Sequence, residues 1–171
     1  MDEAFRTVLL IALAAAALTT ATLALAWWME PQRRLRRAML KSLGRIGDAE
    51  AIAPAEGKAA ALDFDEGQLA VLWARGAHGL VYDFAEVEGG EIIVDGCVVA
   101  RIRRGEQRKA LDVMAPEAEQ VVLRLMFADP RHPEFELALW NAASPGQAGS
   151  SAEALRLGRR WLSHIEALLK A

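Results

Sequence analysis

The pattern of hydrophobic positions begins with one long apolar stretch. Residues 7–29 form an uninterrupted run of 23 positions without a charged side chain. An α-helix rises about 1.5 Å per residue, so this run covers roughly 34 Å, enough for a hydrocarbon core about 30 Å thick. The run therefore predicts a transmembrane anchor within residues 1–30.

The competing interpretation is a cleaved secretory signal, which needs a basic start and an apolar core of about 7 to 15 residues. Asp2 and Glu3 stand near the start, and Trp27 and Trp28 follow the small residues at which cleavage would occur. Tryptophan prefers the membrane interface, so the sequence favours an uncleaved anchor. One basic residue precedes the run and six follow it by residue 45. The positive-inside rule then predicts a single-pass inner-membrane protein with its N-terminus outside and its domain in the cytoplasm.

An amphipathic pattern follows in residues 31–58, which we assign to a basic juxtamembrane helix and a linker. Leu35, Met39 and Leu43 recur every four residues, and Pro31 fits either a helix start or a kink in a continuous helix. Five basic side chains on the remaining face are candidate contacts for anions or lipid: Arg33, Arg34, Arg36, Arg37 and Lys41. They suit either adhesion to anionic headgroups or the charge that ends membrane insertion.

From residue 59 the apolar period shortens to two, which is the period of β-strands. Seven short strands are predicted, at residues 59–63, 68–74, 80–84, 89–94, 97–104, 120–127 and 134–139. Asp95 and Gly96, which separate the fourth strand from the fifth, accept the positive φ angles of a type I′ turn. A tight hairpin is expected there.

The period becomes helical again near the end of the chain. Ser150 and Glu153 have the spacing of a capping box, and an apolar stripe follows at intervals of three and four residues. Such a stripe needs a partner surface, and a sheet supplies one in a small α+β domain. Residues 59–171 are therefore predicted to form one α+β domain with a C-terminal capping helix.

Net charge separates the domain from the basic helix. The formal charge of −3 combines +4 over residues 1–45 with −7 over residues 46–171. An acidic domain is poorly suited to nucleic acid, so no nucleic-acid partner is predicted. The single cysteine, Cys97, excludes an intramolecular disulfide framework, and its apolar neighbours favour a buried thiol.

The order of these elements resembles that of the pleckstrin-homology-like (PH-like) domains. The resemblance covers residues 59–170 and is carried by ALDFDEGQLAVLW, GLVYDFAEV, EIIVDGCVVARI, VVLRLMFAD, FELALW and the closing helix with Trp161. It implies a seven-stranded antiparallel β-sandwich or barrel capped by a C-terminal helix, as in small membrane-tethered bacterial members of the group. Lipid-binding members hold inositol phosphates in a basic loop between their first two strands. Here Asp65 and Glu66 make that loop acidic, so phosphoinositide binding is not carried over.

A second basic group at the end of the fifth predicted strand is the other candidate for anion or lipid contact: Arg101, Arg103, Arg104, Arg108 and Lys109. A solvated strand edge protected by charge is the alternative interpretation. His78, His132 and His164 have no spacing that would organise a catalytic or metal centre, and no HExxH, CxxC or GxSxG motif is present. No catalytic residue, cofactor or metal is therefore predicted.

Three functions are compatible with these patterns. The leading hypothesis is a non-enzymatic membrane-anchored module that presents its PH-like domain to a protein partner or to a second copy of itself. The second is a membrane-surface sensor whose two basic groups bind anionic lipid in the bilayer. A hydrolase or small-ligand enzyme is third, because no catalytic motif supports it.

Overall fold

The computed structural model describes residues 2–28, 30–110, 117–144 and 149–170, and within the first of these ranges the side chains of residues 6–22. These ranges contain three helices, α1 (Asp2–Trp28), α2 (Pro31–Leu43) and α3 (Ser151–Lys170). They also contain nine strands: β1 (Ala49–Ala53), β2 (Lys58–Asp63), β3 (Gln68–Trp73), β4 (His78–Asp83), β5 (Val87–Val94), β6 (Cys97–Arg103), β7 (Lys109–Ala110), β8 (Gln120–Phe127) and β9 (Glu134–Asn141).

The N-terminal helix does not meet the expectation for a membrane anchor. Across the described ranges, no helix is both long enough and apolar enough to cross a membrane. The predicted transmembrane anchor is therefore wrong for this part of the chain. The predicted single-pass inner-membrane location depends on that anchor and is wrong with it.

The strands form two antiparallel sheets in a β-sandwich-like α+β fold. Sheet A has the order β1-β2-β3-β4, whereas sheet B has the order β7-β6-β5-β8-β9. The central strand of sheet B is therefore β5, and β8 returns to pair with it after β6 and β7. The predicted count of seven strands is wrong, since nine are present in the described residues.

The two additional strands have local explanations. Strand β1 lies in the segment assigned to a linker, because its sequence AEAIA holds only one large apolar residue. Its Ala51 and Ala53 are nevertheless buried, and it pairs along its whole length with β2. Strand β7 is two residues long and pairs with β6. A periodic pattern cannot reveal so short an element.

Helix α2 packs on the outer face of sheet A. Pro31 begins the helix, and Gly44, with a φ of 74°, ends it in the conformation that glycine favours at a C-cap. Its apolar stripe and small residues of the sheet form a separate buried cluster: Leu35, Met39, Leu43, Ala59, Ala61, Ala70 and Leu72. Residues 31–58, assigned to a helix and linker outside the domain, thus contribute a packed helix and an edge strand to it.

The main core lies among the inner face of sheet A, one face of sheet B and α3. Trp161, Leu162 and Ile165 of α3 are buried in it. Gly90 of β5 permits this close approach, because a Cβ atom there would lie 2.8 Å from Cδ1 of Ile165. The two faces of sheet A therefore serve different partners, α2 outside and the main core inside.

Two local predictions are confirmed. Asp95 and Gly96 have φ angles of 48° and 80° and join β5 to β6 in a hairpin. Helix α3 begins directly after Ser150, whose hydroxyl accepts a hydrogen bond of 3.3 Å from the Glu153 backbone N–H. Both features depend on residues close together in the sequence.

Candidate functional site

An open groove between the two sheets is the best candidate for a functional site. Its volume is about 320 Å³, and its lining includes Val71, Trp73, Leu80, Tyr82, Phe127 and Phe135. Alternation along β3 and β4 explains this set, because every second side chain of each strand points to the inner face of sheet A. Strands β8 and β9 supply the two phenylalanines from sheet B. We call this site the aromatic groove.

The rings of the aromatic groove contact one another and two histidines. Tyr82 and Phe127 are stacked, with centroids 4.0 Å apart. The Trp73 ring lies 6.2 Å from that of His78 and 5.9 Å from that of His132. Sequence spacing gave no reason to place these histidines together, because the loop that holds His132 meets β3 only in the folded sandwich.

A hydrogen bond to Asp129 fixes the Tyr82 hydroxyl. The hydroxyl donates to a carboxylate oxygen of Asp129 at 3.3 Å. Burial, and then the Asp129 charge, raise the pKa of Tyr82 to about 12. The Arg131 backbone N–H is the main cause that lowers the pKa of Asp129, and the Tyr82 hydroxyl adds to it. At neutral pH the pair is therefore a protonated phenol and a carboxylate.

The edge of β9 is capped by two side chains from the β1–β2 turn region. Lys58 Nζ donates to the Glu136 carbonyl oxygen at 3.0 Å and lies 5.8 Å from the centroid of the Phe135 ring. A carboxylate oxygen of Glu56 accepts a hydrogen bond of 3.4 Å from the Ala138 backbone N–H. These contacts satisfy backbone groups that an edge strand would otherwise present to solvent.

A larger depression of about 520 Å³ lies near the N-terminal ends of α2 and α3. Its lining includes Pro31, Leu139, Trp140 and Glu153. Ser144 and Gly149 also line it. The aromatic groove is the stronger candidate, because Trp73, Tyr82, Phe127 and Phe135 line it, whereas among the described residues Trp140 alone brings such a ring to this depression.

The first predicted basic group lies on the solvent side of α2. We call these residues, Arg33, Arg34, Arg36, Arg37 and Lys41, the basic face of α2. Arg33 pairs with Glu30 at 2.8 Å, and Arg36 pairs with Glu50 of β1 at 3.3 Å. Leu40 on the same side of the helix is 44% exposed. The group therefore forms one surface, as the amphipathic pattern predicted.

The second predicted basic group is divided among several partners. Arg101 lies 3.6 Å from Glu106, and Arg108 lies 3.2 Å from Glu166 of α3. Arg104 donates to the carbonyl oxygens of residues 84, 85 and 87. Arg103 and Lys109 are exposed. Three of the five thus have partners within the chain, and whether this group binds an anion stays a prediction.

A row of charged side chains crosses the outer face of sheet B, and the sequence patterns did not predict it. Strand register aligns Lys109, Arg101, Glu91, Arg124 and Glu136 on neighbouring strands. Glu91 is only 4% exposed and accepts a hydrogen bond of 3.0 Å from Arg124. The hydrogen bond to Glu136 is the main cause that raises the pKa of Arg124. The charged residues at outward strand positions were the sequence signal from which this row could have been suspected. Their alignment into a row depends on the register between strands, which the sequence pattern does not give.

The acidic residues at and just after the end of β2 form hydrogen bonds and ion pairs with nearby groups. Asp63 is fully buried and accepts hydrogen bonds from the Asp65 backbone N–H at 3.1 Å and from Arg45 at 3.3 Å. Arg45 also pairs with Asp65. Within the described residues, no group of three metal-ligating side chains occurs.

Cys97 is exposed. The prediction of a buried thiol is therefore wrong. The residue is the first of β6 and directly follows the Asp95–Gly96 turn. Its apolar neighbour Val98 is itself 42% exposed and does not cover it.

Comparison with protein-family models, curated proteins and solved structures gave no match to this chain. The resemblance to PH-like domains consequently stays a prediction.

Proposed function

We infer that the protein is a non-enzymatic interaction module that binds a segment of a partner protein in the aromatic groove. The observation that carries this proposal is the set of rings held open between the sheets, with Trp73 and Phe135 only partly buried. Aromatic side chains supply much of the binding energy at protein interfaces. The volume is at the small end of ligand pockets, which span about 300–1,000 Å³, and suits a few side chains.

The polar groups beside the aromatic groove support binding by shape and apolar contact. The Tyr82 hydroxyl is bound to Asp129, and Lys58 is bound to a β9 carbonyl oxygen. Both groups hold the walls of the groove in place, so a ligand meets a surface that is already organised. Little ordering of the groove is then needed on binding, which favours affinity.

A peptide selection tests this function. Random peptides displayed on phage are selected against the immobilised full-length protein, which is kept in mild detergent because α1 exposes apolar side chains. The variant Phe135→Ala removes a ring from the aromatic groove. The matched control Phe64→Ala removes a ring that is 41% exposed and lies outside it.

We expect the selected peptides to bind Phe135→Ala about ten-fold or more weakly than the unmodified protein, as for loss of an interface anchor. Binding to Phe64→Ala should stay within about two-fold, since truncation outside an interface changes affinity little. Circular dichroism establishes that both variants are folded. Failure to select any peptide, or equal binding to both variants, would refute the function.

The basic face of α2 supports a second candidate function, contact with an anionic lipid surface. Leu40 is exposed within this face, and an exposed apolar side chain amid basic residues suits the headgroup region. Flotation of the full-length protein with phosphatidylserine vesicles tests it. Binding that falls with salt and with Arg34→Gln and Lys41→Gln together supports this function, and binding indifferent to both changes refutes it.

A further inference from the structure

Strand β4 presents an open edge. In sheet A it pairs with β3 on one side, and no described strand pairs with its other side. The edge of β9, in contrast, is capped by Lys58 and Glu56. Natural proteins usually protect such an edge with charge, proline or a covering segment. The sequence of β4, HGLVYD, places no lysine or proline on it.

The hydrogen-bond pattern shows which backbone groups of β4 point to the open edge. Phe84 N–H donates to the Gly67 carbonyl oxygen at 2.9 Å, in the same register as the β3–β4 pairs. Bonded positions recur at every second residue of an antiparallel ladder. Leu80 and Tyr82 therefore form backbone hydrogen bonds to β3. The residues that alternate with them, Gly79, Val81 and Asp83, direct their backbone N–H and C=O groups toward the open edge.

The outward groups of β4 are available. Asp83 N–H donates to the Glu86 carboxylate at 2.9 Å, away from β3, as this pattern requires. Among the residues that the structure describes, the backbone N–H groups of Gly79 and Val81 have no hydrogen-bond partner outside the strand ladder. Both residues are exposed, and Val81 is 41% exposed although it is apolar. The open edge thus offers donors, acceptors and apolar surface together.

The two faces beside this edge differ in chemistry. Leu80 and Tyr82 line the aromatic groove on the inner face. Gly79 and Val81 lie on the outer face, opposite Leu72 and Ala70 of the cluster that contacts α2. A strand added to β4 would consequently place alternate side chains in the aromatic groove and on the α2 side.

The α2 side of this edge is basic. Arg36 turns toward β1, where it pairs with Glu50. Ala38 marks the other side of the helix, because a Cβ atom at Gly76, two residues before β4, would lie 2.7 Å from its Cβ. Arg34 and Lys41 lie four residues before and three residues after Ala38, and so share its side of the helix.

We propose that the β4 edge accepts an extended segment of a partner protein as a fifth strand of sheet A, with apolar side chains in the aromatic groove and acidic side chains beside Arg34 and Lys41. Charge complementarity selects the acidic residues, and main-chain hydrogen bonds to Gly79 and Val81 supply affinity independent of sequence. This inference rests on the proposed function and specifies its ligand as a peptide of alternating apolar and acidic residues.

Synthetic peptides test the charge rule. The probe is a fluorescein-labelled Glu-Val-Glu-Phe-Glu-Val-Glu amide, and the control carries lysine in place of each glutamate. Fluorescence polarisation with the full-length protein in mild detergent should show binding of the probe at least about ten-fold tighter than of the control. Arg34→Gln and Lys41→Gln together should weaken probe binding by at least about five-fold. Arg36→Gln, on the β1 side, should change it by less than about two-fold.

Backbone methylation tests the edge. Two further peptides carry N-methyl groups either on the glutamates or on the apolar residues. Only one set of N–H groups faces β4 in an added strand, so one methylated peptide should lose about ten-fold or more in affinity and the other should keep it. Hydrogen exchange at Gly79 and Val81 should slow when the unmodified probe binds. Equal affinity of both methylated peptides, or their equal loss, overturns the edge assignment.

The remaining outcomes separate the two proposals. If the phage-selected peptides depend on Phe135 but lack alternating acidic residues and bind Arg34→Gln normally, the proposed function stands and this inference fails. If no peptide depends on Phe135, both fail. Protection of Gly79 and Val81 that grows with protein concentration alone identifies a second copy of the chain as the occupant and overturns the acidic partner. Displacement of the probe by phosphatidylserine vesicles, with loss of protection at both residues, assigns Arg34 and Lys41 to lipid and overturns it as well.

Discussion

Replacing Leu35 by alanine tests whether α2 is an integral part of the domain. Leu35 is 0% exposed and packs with Met39 against the outer face of sheet A. Truncation there leaves a cavity beside alanines, which are too small to fill it, and buried Leu→Ala changes cost about 2–5 kcal/mol. Leu40 is 44% exposed in the same helix. Its replacement by alanine should cost less than about 0.5 kcal/mol.

The comparison of these two variants isolates the contribution of side-chain packing to the free energy of unfolding. Both are Leu→Ala changes inside one helix, so the gain in helix propensity is about the same and cancels. A difference of about 3 kcal/mol between them corresponds to a difference in melting temperature of roughly 6–12 °C for a chain of this size. A helix that only followed the domain as a stalk would give no such difference.

Urea unfolding of the full-length protein in mild detergent measures the effect. Tryptophan fluorescence reports the main core, in which Trp161 is 1% exposed, and circular dichroism at low denaturant confirms that each variant is folded. We expect Leu35→Ala to lower the free energy of unfolding by 2 kcal/mol or more, approximately, relative to Leu40→Ala. Equal stabilities of the two variants would refute the packing of α2 on sheet A.

Three further predictions follow from buried or exposed polar groups. Glu91→Gln should cost about 1–3 kcal/mol in urea unfolding, because Arg124 loses a buried charge partner, whereas Glu88→Gln should cost below about 0.5 kcal/mol. Tyr82 is the only tyrosine, so ultraviolet titration should place its pKa at about 12 in the folded protein and about 10 in denaturant. Because the folded pKa is higher, Tyr82 contributes stability that is complete below about pH 10 and is lost as pH rises toward about 12. Cys97 should react fully with a thiol reagent without denaturant, and a requirement for unfolding would contradict its exposure.

Features with local causes could be predicted from the sequence. The Asp95–Gly96 turn needs only two residues that accept positive φ, and α3 needs only its cap and its apolar stripe. Strand β1 was missed because alanine contributes little contrast to an alternating pattern. The stripe of α2 predicted an amphipathic helix but not its partner, since a lipid surface and a sheet face select the same apolar residues.

The aromatic groove could not be predicted, because its walls meet only in the folded sandwich. Lys58 and Glu136, which border it, are separated by 78 positions. Periodicity places Tyr82 and Phe135 on strand faces but does not say which faces meet. The row of charged side chains on sheet B could not be predicted for the same reason, because β8 pairs with β5 and not with β7, the strand that precedes it in sequence.

The bonds from Lys58 and Glu56 to β9 cannot form until the ribosome has synthesised β9. Lys58 binds a carbonyl group 78 positions further along the chain, and at about 5–20 residues per second the ribosome needs roughly 4 to 16 s to reach it. Sheet A ends at Asp83 and sheet B is completed only at Asn141, so for part of that interval the inner face of sheet A, with Leu62, Leu69 and Val71 of the finished core, has no complete partner sheet. Nascent chains of this protein therefore lack part of their core for seconds, and apolar surface exposed in that way is prone to aggregation.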